Sequence, residues 1–474
     1  MGFSTNMHYK KLNKFDIANL AELFGKNNLL TDGPDMEGYS YDESPLSERY
    51  LPQVVIKPKT TREIATVLAF ADEKRIPVTP RGSGTGLSGG AVPIVGGIVL
   101  SLEKMNRILE IDDKNFIAVV EPGVTLTELR TELEKHNLVY PLYPGELSAT
   151  IGGNVATNAG GMNAVKYGVT RHHIMGVEMV LPDGSIIRSG GKFVKNTSAY
   201  DLTQLIIGSE GTLAVVSKII LKLSNPQRYR EVLLLPFTGL QKAIDAVPEI
   251  LRLPVTPVGL EFMEKDIIDI VEDYTGWEMP HHEYPAFLMV FMEAENSELV
   301  MEYFHQVNGI CRKYDGVEGL IPSSERAKRR LQQMREKFYP AVKAYAKMEL
   351  VDTVVPRSEI ARFIDAVRKL SERSNIPVIG YGHAGDGNVH LHILCHGIKE
   401  GEWQLKLPVL VEEIYKAAIS FGGAISGEHG IGYAKKKYLP IQYGEDYLRT
   451  LKALKRAFDP HNILNPGKIF DVEI

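Results

Sequence analysis

Hydrophobic positions along the chain follow two rhythms, one near 3.6 residues and one of two, and their alternation predicts mixed α+β structure. Ile64, Val67, Leu68 and Ala71 fall on one helical face, and Thr60 with Glu63 has the spacing of a capping box. That helix is predicted to end near Arg75 and to run into a strand over 76–79. Thr125 with Glu128 opens a second helix through His136. Between and after these helices come short β-type runs at 98–102, 117–120, 175–181 and 213–223, separated by turn signals such as Pro182-Asp183-Gly184. After Asn225-Pro226 glycine becomes sparse, and longer helices are predicted over 299–314, 324–347 and 359–373, the last entering a strand over 377–381. A final helix is predicted over 445–458. The expected organisation is an N-terminal extension (1–49), a glycine-rich α+β domain (50–225), a second α+β domain (226–420) and a closing segment (421–474).

Length and charge narrow the classes. A chain of 474 residues exceeds one ordinary hydrophobic core. With 54 basic and 59 acidic residues, a net charge of −5 argues against nucleic acid as partner. Two cysteines, Cys311 and Cys395, give no disulfide framework and fit a reducing cytoplasm. Residues 1–14 lack the apolar stretch of a secretory signal, and the long uncharged run 86–102 is broken by glycine and proline, so no membrane span is expected.

Chemistry enters with three glycine-rich segments. The first, Pro80-Arg81-Gly82-Ser83-Gly84-Thr85-Gly86-Leu87-Ser88-Gly89, permits positive φ and close approach of backbone N–H groups to a diphosphate. Its Gly-x-Gly-x-x-Gly spacing matches the Rossmann fingerprint, but residues 91–97 cannot supply the helix that fingerprint needs. The second runs Pro144-Gly145 and then Thr150-Ile151-Gly152-Gly153-Asn154-Val155-Ala156-Thr157-Asn158-Ala159-Gly160-Gly161, with Tyr167-Gly168 beyond. Such a run packs poorly as core, yet lets a flat ring lie against the backbone. The third, Gly208-Ser209-Glu210-Gly211-Thr212-Leu213, leads into a strand.

A different chemistry is written in 380–394. From Asn388 polar and apolar residues alternate, so His390 and His392 share one face of a strand, and His383 lies across a Gly-Asp-Gly loop that could fold back towards it. Ser426-Gly427-Glu428-His429-Gly430 adds a carboxylate and another histidine. Two histidines and one carboxylate with open positions suit a catalytic Zn²⁺, Fe²⁺ or Mn²⁺.

Together, in this order and spacing, the glycine segments resemble the FAD-binding domain of the vanillyl-alcohol oxidase/p-cresol methylhydroxylase superfamily. Over about residues 40–470 the chain looks like its branch of glycolate oxidase flavoprotein subunits and D-lactate dehydrogenases, with D-2-hydroxyglutarate dehydrogenases as cousins. The resemblance implies a two-subdomain FAD-binding domain of the p-cresol methylhydroxylase type, an α+β substrate (cap) domain and a C-terminal return to the flavin. It implies that the first loop holds the FAD pyrophosphate, that the second lies along the flavin, and that Asn465 of the tail returns to it. No histidine or cysteine lies in the first loop, and His172 and His173 are read as polar loop residues, so FAD is expected to be non-covalent. The resemblance further implies His383, His390 and Glu428 as metal ligands and His429 as catalytic base. Among the charges of 328–337 it singles out Arg335 as the grip on the substrate carboxylate, for which a planar guanidinium is suited. His392 departs from the hydroxyglutarate branch, as does Leu350 near the place of that branch's lysine, which favours a short monocarboxylate.

The implied activity is oxidation of a small D-2-hydroxy acid, D-lactate before glycolate, by metal-assisted hydride transfer to flavin. Two cysteines cannot ligate a four-cysteine cluster, so electrons are expected to leave to a separate protein or quinone, and the resemblance implies an electron-transferring flavoprotein or iron–sulfur subunits as the partner. The alternatives are a flavin-carrying electron-transfer subunit and a non-redox member of the fold, such as the ether-lipid synthase.

Overall fold

The computed structural model describes residues 9–46 and 48–472. The sequence reading of 1–14 therefore falls mostly outside the described residues. The chain forms two compact units: Met1–Ala159, Val169–Pro226 and His429–Ile474 in the first, Gly160–Gly168 and Gln227–Glu428 in the second.

The first unit holds two sheets. One contains β1 (Leu29–Leu30), β2 (Val54–Ile56), β3 (Val78–Arg81) and β4 (Ile98–Ser101) in the order β1-β2-β4-β3, with β4 parallel to both β2 and β3. The helix Thr61–Lys74 makes the crossover, and Ile64, Val67, Leu68 and Ala71, all fully buried, pack on these strands. Each such large side chain contributes roughly 1.5–3 kcal/mol by leaving water. Thr60 caps this helix through Glu63 N, but Glu63 reaches back to Lys59 N, one residue before the cap. The N-terminal extension is part of this core: Leu12, Leu20, Phe24 and Leu29 are buried in it. So is the tail, since Val78 donates to Ile463 O at 2.8 Å and accepts from Asn465 N at 2.7 Å.

The other sheet runs β5-β6-β9-β7-β8, from β5 (Ile108–Asp112), β6 (Ile117–Val120), β7 (Ile174–Val180), β8 (Ile186–Gly190) and β9 (Val215–Lys222). The helix Leu126–Lys135 packs Leu126, Leu129 and Leu133 into the same core, and Thr125 with Glu128 forms the full capping box. The second glycine segment differs from expectation. Ile151–Thr157 is a short helix whose Ile151 and Val155 are core residues, capped by Thr150. The cap, worth about 0.5–2 kcal/mol, and core burial offset the roughly 1 kcal/mol that each glycine costs. Gly152 is needed there, because a methyl group would lie 2.5 Å from Pro122 Cβ. His173, read as an exposed loop residue, is buried edge-on against Tyr140.

The second unit is built on one antiparallel sheet. Its strands are β10 (Tyr229–Phe237), β11 (Gly259–Glu264), β12 (Ala286–Ala294), β13 (Met348–Val354), β14 (Val378–His383) and β15 (Asn388–Leu394), in the order β10-β12-β11-β14-β15-β13. The helix expected over 324–347 is two, Glu325–Glu336 and Phe338–Tyr345. Pro340 explains the break: it lacks an N–H, and its ring would strike the carbonyl of Glu336 in a continuous helix. Among the described residues no helix is long and apolar enough to cross a membrane.

Candidate active site

Strand register in the second unit assembles the histidine cluster. β14 and β15 form a hairpin in which Tyr381 faces His390, and the pair His383–Asn388 closes the Gly-Asp-Gly loop. On either side, β11 sets Glu261 opposite His383 and β13 sets Asp352 opposite His390. Cross-strand partners share a face, so alternate positions of four strands present Glu261, Tyr381, His383, His390 and Asp352 together. Gly387 permits the turn with φ +93°, where a methyl group would lie 2.0 Å from Val355 O.

The three expected ligands converge. His383 Nε2 lies 3.4 Å from His390 Nε2 and 3.6 Å from Glu428 Oε1, and His390 Nε2 lies 3.4 Å from the same oxygen. Three ligands on a tetrahedron with bonds of about 2.0–2.2 Å stand roughly 3.3–3.6 Å apart, so the triangle has the size of a metal site with a fourth position open. His383 and His390 are buried. His392 takes no place in this triangle; it stacks on Tyr381, with centroids 5.3 Å apart, and its Nδ1 meets Met348 Sδ.

Electrostatics hold the triangle together. Burial would lower the His383 pKa, but Glu261 and Glu428 outweigh it and raise it well above the usual imidazole range. Burial likewise opposes ionisation of Glu428, yet His383 and His390 hold its carboxyl far below the ordinary carboxylate range. Asp386 in the hairpin loop is pushed up to about 6 by burial, only partly offset by His383.

Two carboxylates that the sequence reading did not single out support the cluster. Glu261, fully buried, meets His383 Nδ1 with Oε1 at 2.6 Å and accepts from Arg335 Nε with Oε2 at 2.9 Å. A carboxylate in the apolar strand Gly-Leu-Glu-Phe-Met was the available signal, since a buried charge requires partners. Asp352, also fully buried, accepts from Asn388 Nδ2, Ser426 Oγ and the backbone N–H groups of Gly427 and Glu428. It thereby fixes the turn that carries Glu428.

Arg335, on the helix Glu325–Glu336, is buried and lies over the Tyr381 ring at 4.8 Å. Its Nε–Nη2 edge faces Glu261, leaving other N–H groups of the five-donor fork. His429 follows Glu428 in the chain and begins the last segment of the first unit, where its carbonyl accepts from Ser88 Oγ at 2.9 Å.

The expected cofactor residues divide in two. Gly82, Ser83, Gly84, Thr85, Gly86 and Gly89 form an irregular loop without a helix, tightened where a methyl on Gly82 would lie 2.3 Å from Thr150 Oγ1 and one on Gly84 2.1 Å from Arg81 Nη2. Pro144, Gly145, Thr150, Gly152, Gly153, Asn154, Thr157 and Asn158 also belong to the first unit, and Asn154 Nδ2 is buried with no hydrogen-bond partner. That orphaned donor and the bare loop backbone fit a dinucleotide. Four side chains turn to the protein instead. Arg81 donates to Tyr41 O and Gly38 O, Ser88 to the carbonyls of His429 and Gly430, and Asn465 to Gly90 O and Glu210 O. The Glu210 carboxylate accepts from Ile431 N and Gly432 N, beside Gly211. Gly160, Gly161, Tyr167 and Gly168 fall in the second unit, where the Tyr167 hydroxyl donates to Glu293.

Residues 52–190 match the FAD binding domain family, and residues 226–469 match the C-terminal domain of FAD linked oxidases. A D-lactate dehydrogenase of Anaerostipes hadrus is 37% identical over 97% of this chain and 98% of its own length. The glycolate oxidase subunit GlcD of Bacillus subtilis is 38% identical over 95% of this chain and 96% of its own. Among solved structures, p-cresol methylhydroxylase with substrate bound superposes with a TM-score of 0.79 at 18% identity, covering 96% of each chain. The chain therefore belongs to the FAD-linked oxidase family. Its fold is of the p-cresol methylhydroxylase type, and it is an FAD-linked oxidoreductase.

Proposed function

We propose that this chain is a dehydrogenase that oxidises a small D-2-hydroxy acid, D-lactate before glycolate, to the 2-oxo acid. The observation that carries the reading is the triangle of buried His383 and His390 with half-buried Glu428, and Arg335 tied to it through Glu261. Relatives named D-lactate dehydrogenase and glycolate oxidase subunit support the substrate class.

In this reading His383, His390 and Glu428 hold one divalent ion, with Zn²⁺, Fe²⁺ or Mn²⁺ fitting the donor set. A bound ion there would supply Lewis-acid polarisation of the substrate hydroxyl, lowering its pKa. The free N–H groups of Arg335 pair with the substrate carboxylate in a site where burial strengthens the contact. His429 accepts the hydroxyl proton. FAD, held non-covalently, would supply the redox chemistry as acceptor of the C2 hydride. The loop of 82–89 would hold its diphosphate through backbone N–H groups, and the helix Ile151–Thr157 would lie along its ring with Asn154 as a donor.

Electrons then pass to a partner protein, an electron-transferring flavoprotein before iron–sulfur subunits, because Cys311 and Cys395 cannot ligate a cluster. The test is anaerobic mixing of the yellow protein with D- and L-lactate, glycolate and D-2-hydroxyglutarate. Rapid bleaching by D-lactate is expected, with dye reduction and no NADH when either acceptor is supplied. No bleaching by any member of the panel, or fast NADH formation by the chain alone, rejects the reading.

A further inference from the structure

We propose that Glu261 is a positioning residue that sets two functional groups at once, the tautomer of His383 and the orientation of Arg335. The proposal rests on the reading that His383 binds a metal and Arg335 the substrate carboxylate.

The geometry is specific. Glu261 is completely buried and divides its oxygens, Oε1 at 2.6 Å from His383 Nδ1 and Oε2 at 2.9 Å from Arg335 Nε. A carboxylate oxygen can only accept, so Nδ1 of His383 keeps its proton and Nε2 is the nitrogen left to bind a metal. Nε2 is the atom that stands 3.4 Å from His390 Nε2 and 3.6 Å from Glu428 Oε1. Such a carboxylate behind a ligating imidazole fixes ring and tautomer and raises ligand basicity. On its other side the carboxylate holds one edge of the guanidinium while Tyr381 and Phe338 flank it at 4.8 and 5.2 Å. The fork is thus held in one rotational setting before any substrate arrives, which is the requirement for bidentate recognition.

β11 supplies the position because Glu261 pairs across the ladder with His383, so its side chain rises on the same face. A purely structural ion pair would need only Arg335. The second oxygen, on the imidazole of a ligand, has no such explanation.

Two variants separate the functions. In E261Q the amide oxygen still accepts from His383 Nδ1, while the amide NH₂ now faces the Arg335 donors. E261A removes both contacts. Zinc affinity is read by competition with a chromophoric chelator, without turnover, and D-lactate oxidation is followed with a dye. E261Q is expected to hold zinc within about threefold of wild type yet show KM for D-lactate raised about tenfold, with kcat changed less, because a contact to the carboxylate is misaligned. E261A is expected to lose zinc affinity by about 10–100-fold. Folded E261A with wild-type zinc affinity, or E261Q with unchanged KM, overturns the role of Glu261. If E261A does not fold, E261Q decides alone. Wild-type protein that retains no zinc overturns instead the metal reading beneath it.

Discussion

Asp352 carries no proposed chemistry, and its replacement is the sharpest test of how the site is held. Its Oδ2 accepts from Ser426 Oγ at 2.8 Å, Gly427 N at 3.0 Å and Glu428 N at 3.2 Å, and its Oδ1 accepts from Asn388 Nδ2 at 2.8 Å. All four partners are donors. Asp352→Asn can keep an oxygen towards the 426–428 turn, but its NH₂ must then face the amide of Asn388. One charge-assisted bond is lost and three are weakened, which costs about 3 kcal/mol when such bonds are worth roughly 1.5–3 each. Asp352→Ala removes all four and strands two backbone N–H groups, so a loss of about 5 kcal/mol is expected. Because the chain has two compact units, global unfolding need not be two-state. Amide hydrogen exchange at Gly427 and Glu428 is therefore the better assay, alongside urea denaturation. Exchange there should accelerate in both variants, most in Asp352→Ala, and zinc affinity should fall because Glu428 loses its fixed backbone. Wild-type protection of those two amides in Asp352→Ala would refute the argument.

Gly82→Ala should lower FAD content in the purified protein and cost about 1–2 kcal/mol, because the new methyl displaces the Thr150 hydroxyl that caps Ile151–Thr157; full flavin occupancy with unchanged melting would contradict this. Zinc uptake near pH 7 should release about one proton, since His383 is held protonated by Glu261 and Glu428 in the metal-free cluster and must become neutral. Calorimetry in buffers of different ionisation heat reads this, and no proton release would count against it. The same raised pKa stabilises the metal-free fold below pH about 6.5 and is lost as pH rises through the folded value, so added zinc should protect most on the alkaline side. His429→Ala should retain FAD and slow flavin reduction by D-lactate about 10²-fold or more, whereas wild-type reduction would reassign the base.

Much of this was legible from local pattern. The helix Glu445–Phe458 and the strand Ile117–Val120 have the bounds that periodicity predicts, and the strand Asn388–Leu394 puts His390 on the face that alternation assigns it. What escaped the sequence is long-range. Glu261 and His383 are 122 positions apart, and only the order β11-β14-β15-β13 reveals that they are neighbours. Nothing local distinguishes Asp352 from other acids in a strand. Arg81, Ser88, Glu210 and Asn465 stand in the expected segments, yet their side chains close hydrogen bonds to distant backbone, a pairing that motif spacing cannot express. The helix of 151–157 was hidden because propensity alone disfavours Gly-Gly, while its cap and its core contacts decide the outcome.

The threading of the tail makes completion of the first unit a matter of timing on the ribosome. Val78 finds its neighbours in Ile463 and Asn465, and the amide of Asn465 clasps the carbonyls of Gly90 and Glu210. At about 5–20 residues per second, roughly 20–80 s separate the synthesis of Val78 from that of its partners. The second unit, continuous from Gln227 to Glu428 apart from its short early segment, emerges whole within that interval. The glycine loops therefore wait for these tail contacts until residues 463–465 have been made. A nascent chain that stalls before its tail emerges would lack the strand contact to Val78 and the amide clasp on Gly90 and Glu210.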